Sequence, residues 1–194
     1  MKKWIVPIAV IVLIGLWAMN VNNTAVGLEE SITKSWANVE SSYQRRNDLI
    51  GNLVKTVQGA ADFEKSTLEA VINARAKATS VTIDPTNITP EQLAKFNQAQ
   101  NGLAGALKSL LLTVERYPDL KANQNFLELQ SQLEGTENRI NVARDRFNAA
   151  VEPYNKYVRK MPTKFIAGMM GFDEKAYYKA DAGSENAPDV EFDF

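Results

Sequence analysis

The chain has 194 residues, 45% hydrophobic and 23% charged, which suits one ordinary domain and is too short for two large ones. Its 22 basic and 23 acidic side chains leave a net charge of -1, so there is no overall field for nucleic acid. Cysteine and histidine are both absent, which excludes disulfides, Cys/His zinc sites and Cys-His or Ser-His nucleophilic machinery.

The first element is apolar. Lys2 and Lys3 precede residues 4–21, a run without a charge and rich in Ile, Val, Leu and Ala. As a helix it spans about 27 Å, close to the roughly 30 Å hydrocarbon core of a bilayer. Trp4, Ile5, Leu13 and Trp17 are its candidate membrane-anchor residues, the two indoles suiting the headgroup zones. Pro7 lies in the first turns, where a missing donor costs least. The rival is a cleaved signal peptide, whose apolar core is about 7–15 residues long. This core is longer, and the small residues Ala25-Val26-Gly27 lie well beyond it, which favours a retained anchor. Lys2 and Lys3 against a distal flank beginning with Glu29 and Glu30 favour a cytoplasmic N-terminus with the remaining domain outside.

From Ser35 onward apolar residues recur in three- and four-residue steps. Trp36, Tyr43, Ile50 and Val57 form one seam, and Val39, Arg46, Leu53 and Ala60 its partner, with Arg46 the one charged intruder. The pattern loosens after Ala60, resumes at Leu68, Val71 and Ala74, and fades by Ala78; Gly51 and Gly59 weaken the helix without stopping it. The expected stop is the β-branched run of residues 80–83 before Asp84-Pro85. Thr89, Pro90 and Gln92 then read as a capping box opening a second helix. Its seams are Leu93, Gln100, Leu107, Val114 and Phe96, Leu103, Leu110, Tyr117, and it stops at Pro118. The third helix is the most regular, with Phe126, Leu133, Ile140, Phe147 and Tyr154 on one seam and Leu129, Thr136, Ala143, Ala150 and Tyr157 on the other. Pro153 is expected to kink its last turns and Pro162 to end it. No segment alternates with period two. The fold class is therefore all-α: a transmembrane helix over residues 1–22 continuing into a long antiparallel bundle of three to four helices over 23–162.

Residues 163–194 differ. Phe165, Ile166, Met169, Met170 and Phe172 form an apolar patch too short to span a membrane. It can close the end of the bundle, rest on lipid or contact a subunit, and these five are the candidate protein-contact residues. The last 22 residues carry seven acidic and two basic side chains, a composition for a partly extended tail, pinned locally by Tyr177, Tyr178 and Phe192.

Candidate chemistry is sparse. Glu134 and Glu137, three apart, resemble half of a di-iron carboxylate site, but such sites need histidine. Nothing in sequence brings Asp48, Glu64, Glu69 or Glu128 together on an apolar face. Gly102-Leu103-Ala104-Gly105 lies in a helical pattern and is no phosphate loop; its small residues suit the close approach of another helix. Arg139, Arg144 and Arg146 alternate with Glu134, Glu137 and Asp145, the pattern of a salt-bridged helix face. No catalytic, cofactor-binding or metal-binding residue emerges, and the expectation is a protein that is not an enzyme.

Several stretches resemble the LemA family of bacterial membrane-anchored proteins: residues 36–40 (Trp-Ala-Asn-Val-Glu), 45–54, 69–75, 117–126 (Tyr-Pro-Asp-Leu-Lys-Ala-Asn-Gln-Asn-Phe), 134–140 and 187–192. One departure is Gly51, where relatives often carry proline. The resemblance implies an N-terminal transmembrane segment, a helical bundle and a bacterial inner membrane; it supplies no catalytic residues. Asp119 is expected to cap a turn after Pro118, and Asn123 and Asn125 to bond backbone at the start of the third helix. Gly135 and Thr136 are expected at a close helix approach. The function expected is a single-pass scaffold or adaptor acting through self-association and binding of other membrane proteins, without cofactor, nucleic acid or small-molecule substrate. The alternatives are a membrane-remodelling, lipid-organising protein and a carboxylate-metal enzyme.

Overall fold

A computed structural model describes residues 4–59 and 63–179. Six helices are present among them and no strand: α1 (Ile5–Gln58), α2 (Lys65–Ser80), α3 (Pro90–Val114), α4 (Pro118–Lys121), α5 (Gln124–Arg159) and α6 (Thr163–Met169). α1 has 54 residues, about 81 Å of unbroken helix. It passes without interruption from the apolar run into the heptad seam, through Asn20, Asn22, Asn23, Thr24 and Gly27, all weak helix formers.

The seams are the core. Trp36, Tyr43, Ile50 and Val57 are buried, as are Val39, Arg46 and Leu53; Ala60 lies outside the described residues. On α5, Phe126, Leu133, Ile140, Phe147 and Tyr154 are buried together with Thr136 and Ala143. α1 lies along α5, and α2 packs chiefly on α3. One apolar cluster gathers on Trp36, whose indole meets Phe96 and Phe147 edge-on at 5.5 and 5.4 Å. A second gathers on Ile50, Leu53, Leu103, Leu110 and Leu133.

Between the clusters lies a polar layer built on Arg46, which is 3% exposed. A buried guanidinium needs partners, because its desolvation is otherwise uncompensated. Arg46 Nη1 donates to Glu137 Oε1 of α5 at 2.7 Å, and Nη2 to Gln100 Oε1 of α3 at 2.5 Å. Gln100 Nε2 in turn donates to the Ala78 carbonyl in the last turn of α2, where helical carbonyls lack intrahelical donors. The guanidinium also sits 4.8 Å from the Tyr43 ring centre. One residue of α1 thus ties together all four long helices.

Local signals decide the ends. The capping box forms as expected, Gln92 N–H donating to Thr89 Oγ1 and Thr89 N–H to Gln92 Oε1, both at 3.2 Å. Asn123 caps α5, its Oδ1 accepting from Phe126 N–H at 3.2 Å, while Asn125 lies inside the helix. Pro153 falls within α5.

Several expectations are corrected. The first helix does not run on towards residue 80: α1 ends at Gln58, and α2 starts only at Lys65, after Phe63 has turned onto the Tyr117 ring. The loosening of the seam after Ala60 therefore marks a helix boundary. Asp119 does not cap a turn; it lies in the first turn of α4, whose N-cap position is Tyr117. A Cβ added at Gly102, Gly105 or Gly135 would meet nothing within 4 Å, so none marks a close helix approach. Gly51 does lie at a close approach: a Cβ there would come within 3.3 Å of Arg75 Nη2. Arg75 Nε donates to the Asn47 carbonyl at 2.8 Å, the same carbonyl that residue 51 serves within the helix. This level of α1 therefore keeps a donor even where a proline at 51 would remove the helical one.

Candidate docking site at the end of the long helices

Contacts between α1 and α5 move in opposite directions along the two chains: Arg46 meets Glu137, Tyr43 meets Arg144 and Trp36 meets Phe147. Continued at the same register, Arg159 at the end of α5 stands level with Thr24 and Ala25 of α1. The chain then turns into α6, which packs against both helices. Burial on α1 changes at this level. Residues 4–16 are exposed, Trp17 and Ala18 are half-buried, and Val21 and Ala25 are buried.

After α6 the chain turns through Gly171, whose φ of 81° suits a residue without a Cβ. Residues 172–179 then run back along α5 as a non-helical strap. The strap is held by two asparagines of α5. Asn155 accepts from Lys175 N–H at 2.9 Å and donates to its carbonyl at 2.8 Å. Asn148 does the same for Tyr178, at 2.8 and 2.9 Å. The spacings match: seven helical residues advance about 10.5 Å, and three extended residues about 10 Å. Each asparagine therefore satisfies both backbone groups of a residue that has no ladder partner.

The strap also carries side chains into the bundle. Lys175, 8% exposed, donates to Glu29 Oε1 at 2.8 Å and to the Thr86 carbonyl, with its ammonium 5.6 Å from the Tyr154 ring centre. The Tyr178 hydroxyl shares a 2.8 Å hydrogen bond with that of Tyr43. Arg144 lies over the Tyr178 ring at 4.4 Å and donates through Nε to the Tyr43 hydroxyl at 3.0 Å. Burial, reinforced by Tyr43, holds the Tyr178 phenol well above its ordinary pKa. Burial, and then the charge of Glu29, raises Tyr154 as well.

The predicted site residues separate into groups. Trp4, just before α1, is exposed, as are Ile5 and Leu13, and Trp17 is half-buried; among the described residues α1 is the helix long and apolar enough to cross a membrane. Phe165 and Met169 are exposed at 66% and 85%, and Met170 is also exposed. Ile166 is half-buried, while Phe172 packs onto the Trp36 cluster and so leaves the patch. Met161, just before α6, is 59% exposed. The acidic tail beyond residue 179, with Phe192, lies outside the described residues.

The carboxylates are not gathered. Glu137 serves Arg46, Glu64 pairs with Arg116 at 2.9 Å and Glu69 with Lys65 at 3.5 Å, and no metal-capable cluster occurs among the described residues. Arg144 turns to the tyrosines and does not join a salt-bridged face. Ser31 and Lys34 have the spacing of a serine–lysine pair, but Ser31 Oγ donates to the Gly27 carbonyl at 3.1 Å within its own helix. Sequence reasoning passed over Asn148, Asn155 and Lys175. The available signal was a seven-residue Asn repeat on the buried seam side of α5, since Asn155 adjoins Tyr154.

Two predictions concern the strap. Asn155→Ala leaves the Lys175 N–H and carbonyl unpaired and is expected to destabilise the strap by about 1–3 kcal/mol. Hydrogen exchange at the Lys175 amide should accelerate while exchange along α1 is unchanged; an unaltered Lys175 rate contradicts the clamp. The raised phenols give an alkaline limit. Above about pH 10 the unfolded tyrosines lose protons that the folded ones keep, so stability from these groups is present below that pH and declines as pH rises through it. Tyr178→Phe should flatten this decline, read as the urea midpoint against pH; an identical alkaline slope contradicts the assignment.

The LemA family profile matches residues 35–192. The chain is 28% identical over 174 residues to Magnetosome protein MamQ 2 of Paramagnetospirillum magneticum, a match covering 81% of the chain and 64% of that relative. It is 28% identical over 173 residues to Magnetosome protein MamQ of Magnetospirillum gryphiswaldense, covering 80% and 64%. Protein LemA of Metamycoplasma hominis is 22% identical over 142 residues, covering 73% and 61%. The chain thus matches under two thirds of the length of these relatives. With most of its length inside the family profile, the chain belongs to the LemA family.

Proposed function

We propose that the chain is a single-pass protein of the bacterial inner membrane, with α1 crossing the bilayer, the N-terminus cytoplasmic and the remaining helices outside. Residues 1–22 are the anchor, 23–162 one antiparallel bundle, and 163–194 the apolar segment and acidic tail. The observation that carries this reading is the change in burial along one continuous helix: α1 is bare over its apolar run, and cover begins at Trp17. A helix bare of protein cover and apolar all round needs lipid.

Its action is that of a scaffold without catalysis, through self-association and binding of other membrane proteins. The support is the set of polar groups that hold the bundle and not a substrate: Arg46, Gln100, Glu137, Asn148, Asn155 and Lys175 are all engaged within the fold. The exposed residues Phe165, Met169 and Met170, with half-buried Ile166, give an outward apolar surface. Relatives are named for the magnetosome and not for a reaction.

The full chain is expected to stay in the membrane pellet after alkaline carbonate extraction. Protease added outside spheroplasts should remove the bundle. Gentle detergent extraction should yield an assembly of several copies or a stoichiometric complex with another membrane protein. Release by carbonate contradicts the anchor, protection from external protease contradicts the orientation, and a lone monomer contradicts the scaffold.

A further inference from the structure

We propose that α6 is an interfacial foot: Met161, Phe165 and Met169 enter the headgroup–acyl boundary of the membrane that holds α1, flanked by lysines facing anionic headgroups. The proposal rests on the reading of α1 as membrane-crossing. Three independent observations place the foot there.

The first is level. The register of α5 on α1 brings Arg159 level with Thr24 and Ala25, and α6, which follows four residues later, packs on both helices. Cover on α1 starts at Trp17, at the end of the apolar run, where an indole favours the headgroup zone. The second is shape. Phe165 and Met169, four apart on α6, are 66% and 85% exposed, Met161 just before the helix is 59% exposed, and Thr163 and Ala167 are buried. The third is charge. Residues 156–164 contain Lys156, Arg159, Lys160 and Lys164 and no acidic residue. Arg159 pairs with Glu174 of the strap at 3.4 Å, and the three lysines are exposed. An apolar stripe with basic flanks fits an anionic lipid surface. In a two-fold contact between copies the same lysines would face one another, whereas headgroup phosphates neutralise them.

The absence of cysteine allows single nitroxide labels on the full chain at Met169→Cys, Leu13→Cys and Leu127→Cys. Leu127 is an exposed apolar residue near the start of α5, far from α6. Met169 is exposed, so its replacement leaves the core intact. In vesicles of phosphatidylcholine with phosphatidylglycerol, the label at 169 is expected to be accessible to oxygen and shielded from an aqueous nickel complex. Its depth should be about 5–10 Å into the boundary. The label at 13 should lie deeper and that at 127 in water, and the depth at 169 should decrease in pure phosphatidylcholine. A label at 169 as water-accessible as that at 127, with 13 in lipid, overturns the foot and leaves the anchor standing. A water-accessible label at 13 overturns both. A label at 169 shielded from both reagents and broadened by a neighbouring label assigns the stripe to a second copy and overturns the lipid assignment.

Discussion

One buried guanidinium sets the geometry of the bundle. Arg46 sits where an apolar residue would complete the seam of α1, and a charge there is tolerable only with its partners in place. Those partners come from α5 directly, from α3 directly, and from α2 through the Gln100 amide. Apolar packing alone would allow the helices to slide by a turn, about 5.4 Å, at modest cost, because leucine against leucine is nearly degenerate along a heptad. A single paired charge is not degenerate, as only one register brings Glu137 and Gln100 to Arg46. It divides the core into the Trp36 cluster and the Leu53 cluster, and each is then packed by aliphatic and aromatic burial.

That register has consequences at the far end of the molecule. Because α1 continues as helix through weak helix formers at residues 20–27, the level at which α5 and α6 cover it is fixed relative to its apolar run. Val21 and Ala25 are thereby buried, and the bare stretch ends where the indole of Trp17 stands. The strap then returns the chain to the Trp36 cluster, with Asn148 and Asn155 binding its backbone and Lys175 joining it to Glu29 of α1. The same helices that carry the core also hold α6, which packs on both α1 and α5.

Much of this was legible in the amino-acid order, because heptads report burial directly: Trp36, Tyr43, Ile50 and Val57 fall inside, as do Phe126, Leu133, Ile140, Phe147 and Tyr154 of α5, while Leu129, Ala150 and Tyr157 are half-buried. The capping box at Thr89 and the cap at Asn123 were equally readable, since each is a local hydrogen bond. Arg46 was visible as an intruder, but its partners lie 54 and 91 residues away and carry no local signal. The break after Gln58 was hidden because Gly59 alone does not end a helix and the seam resumes in phase at Val71 and Ala74. The strap was hidden for a different reason. An extended segment bonded to helix side chains has neither a period of its own nor a partner strand, and asparagines on a helix read as solvated amides. Glycine misled in the opposite sense, as Gly102, Gly105 and Gly135 face open space whereas Gly51 meets the side chain of Arg75.

The central claim is that Arg46 is a charge made tolerable by its partners, and that this fixes the register. It is tested most directly by urea unfolding of the full chain in detergent as Gln100→Leu, Arg46→Leu and the double variant. Gln100→Leu alone strands a buried donor and is expected to cost about 1–3 kcal/mol. Adding Arg46→Leu to it should recover much of that loss, because an all-apolar layer needs no partner. A Gln100→Leu variant within about 0.5 kcal/mol of the parent, with additive effects in the double variant, would contradict the account.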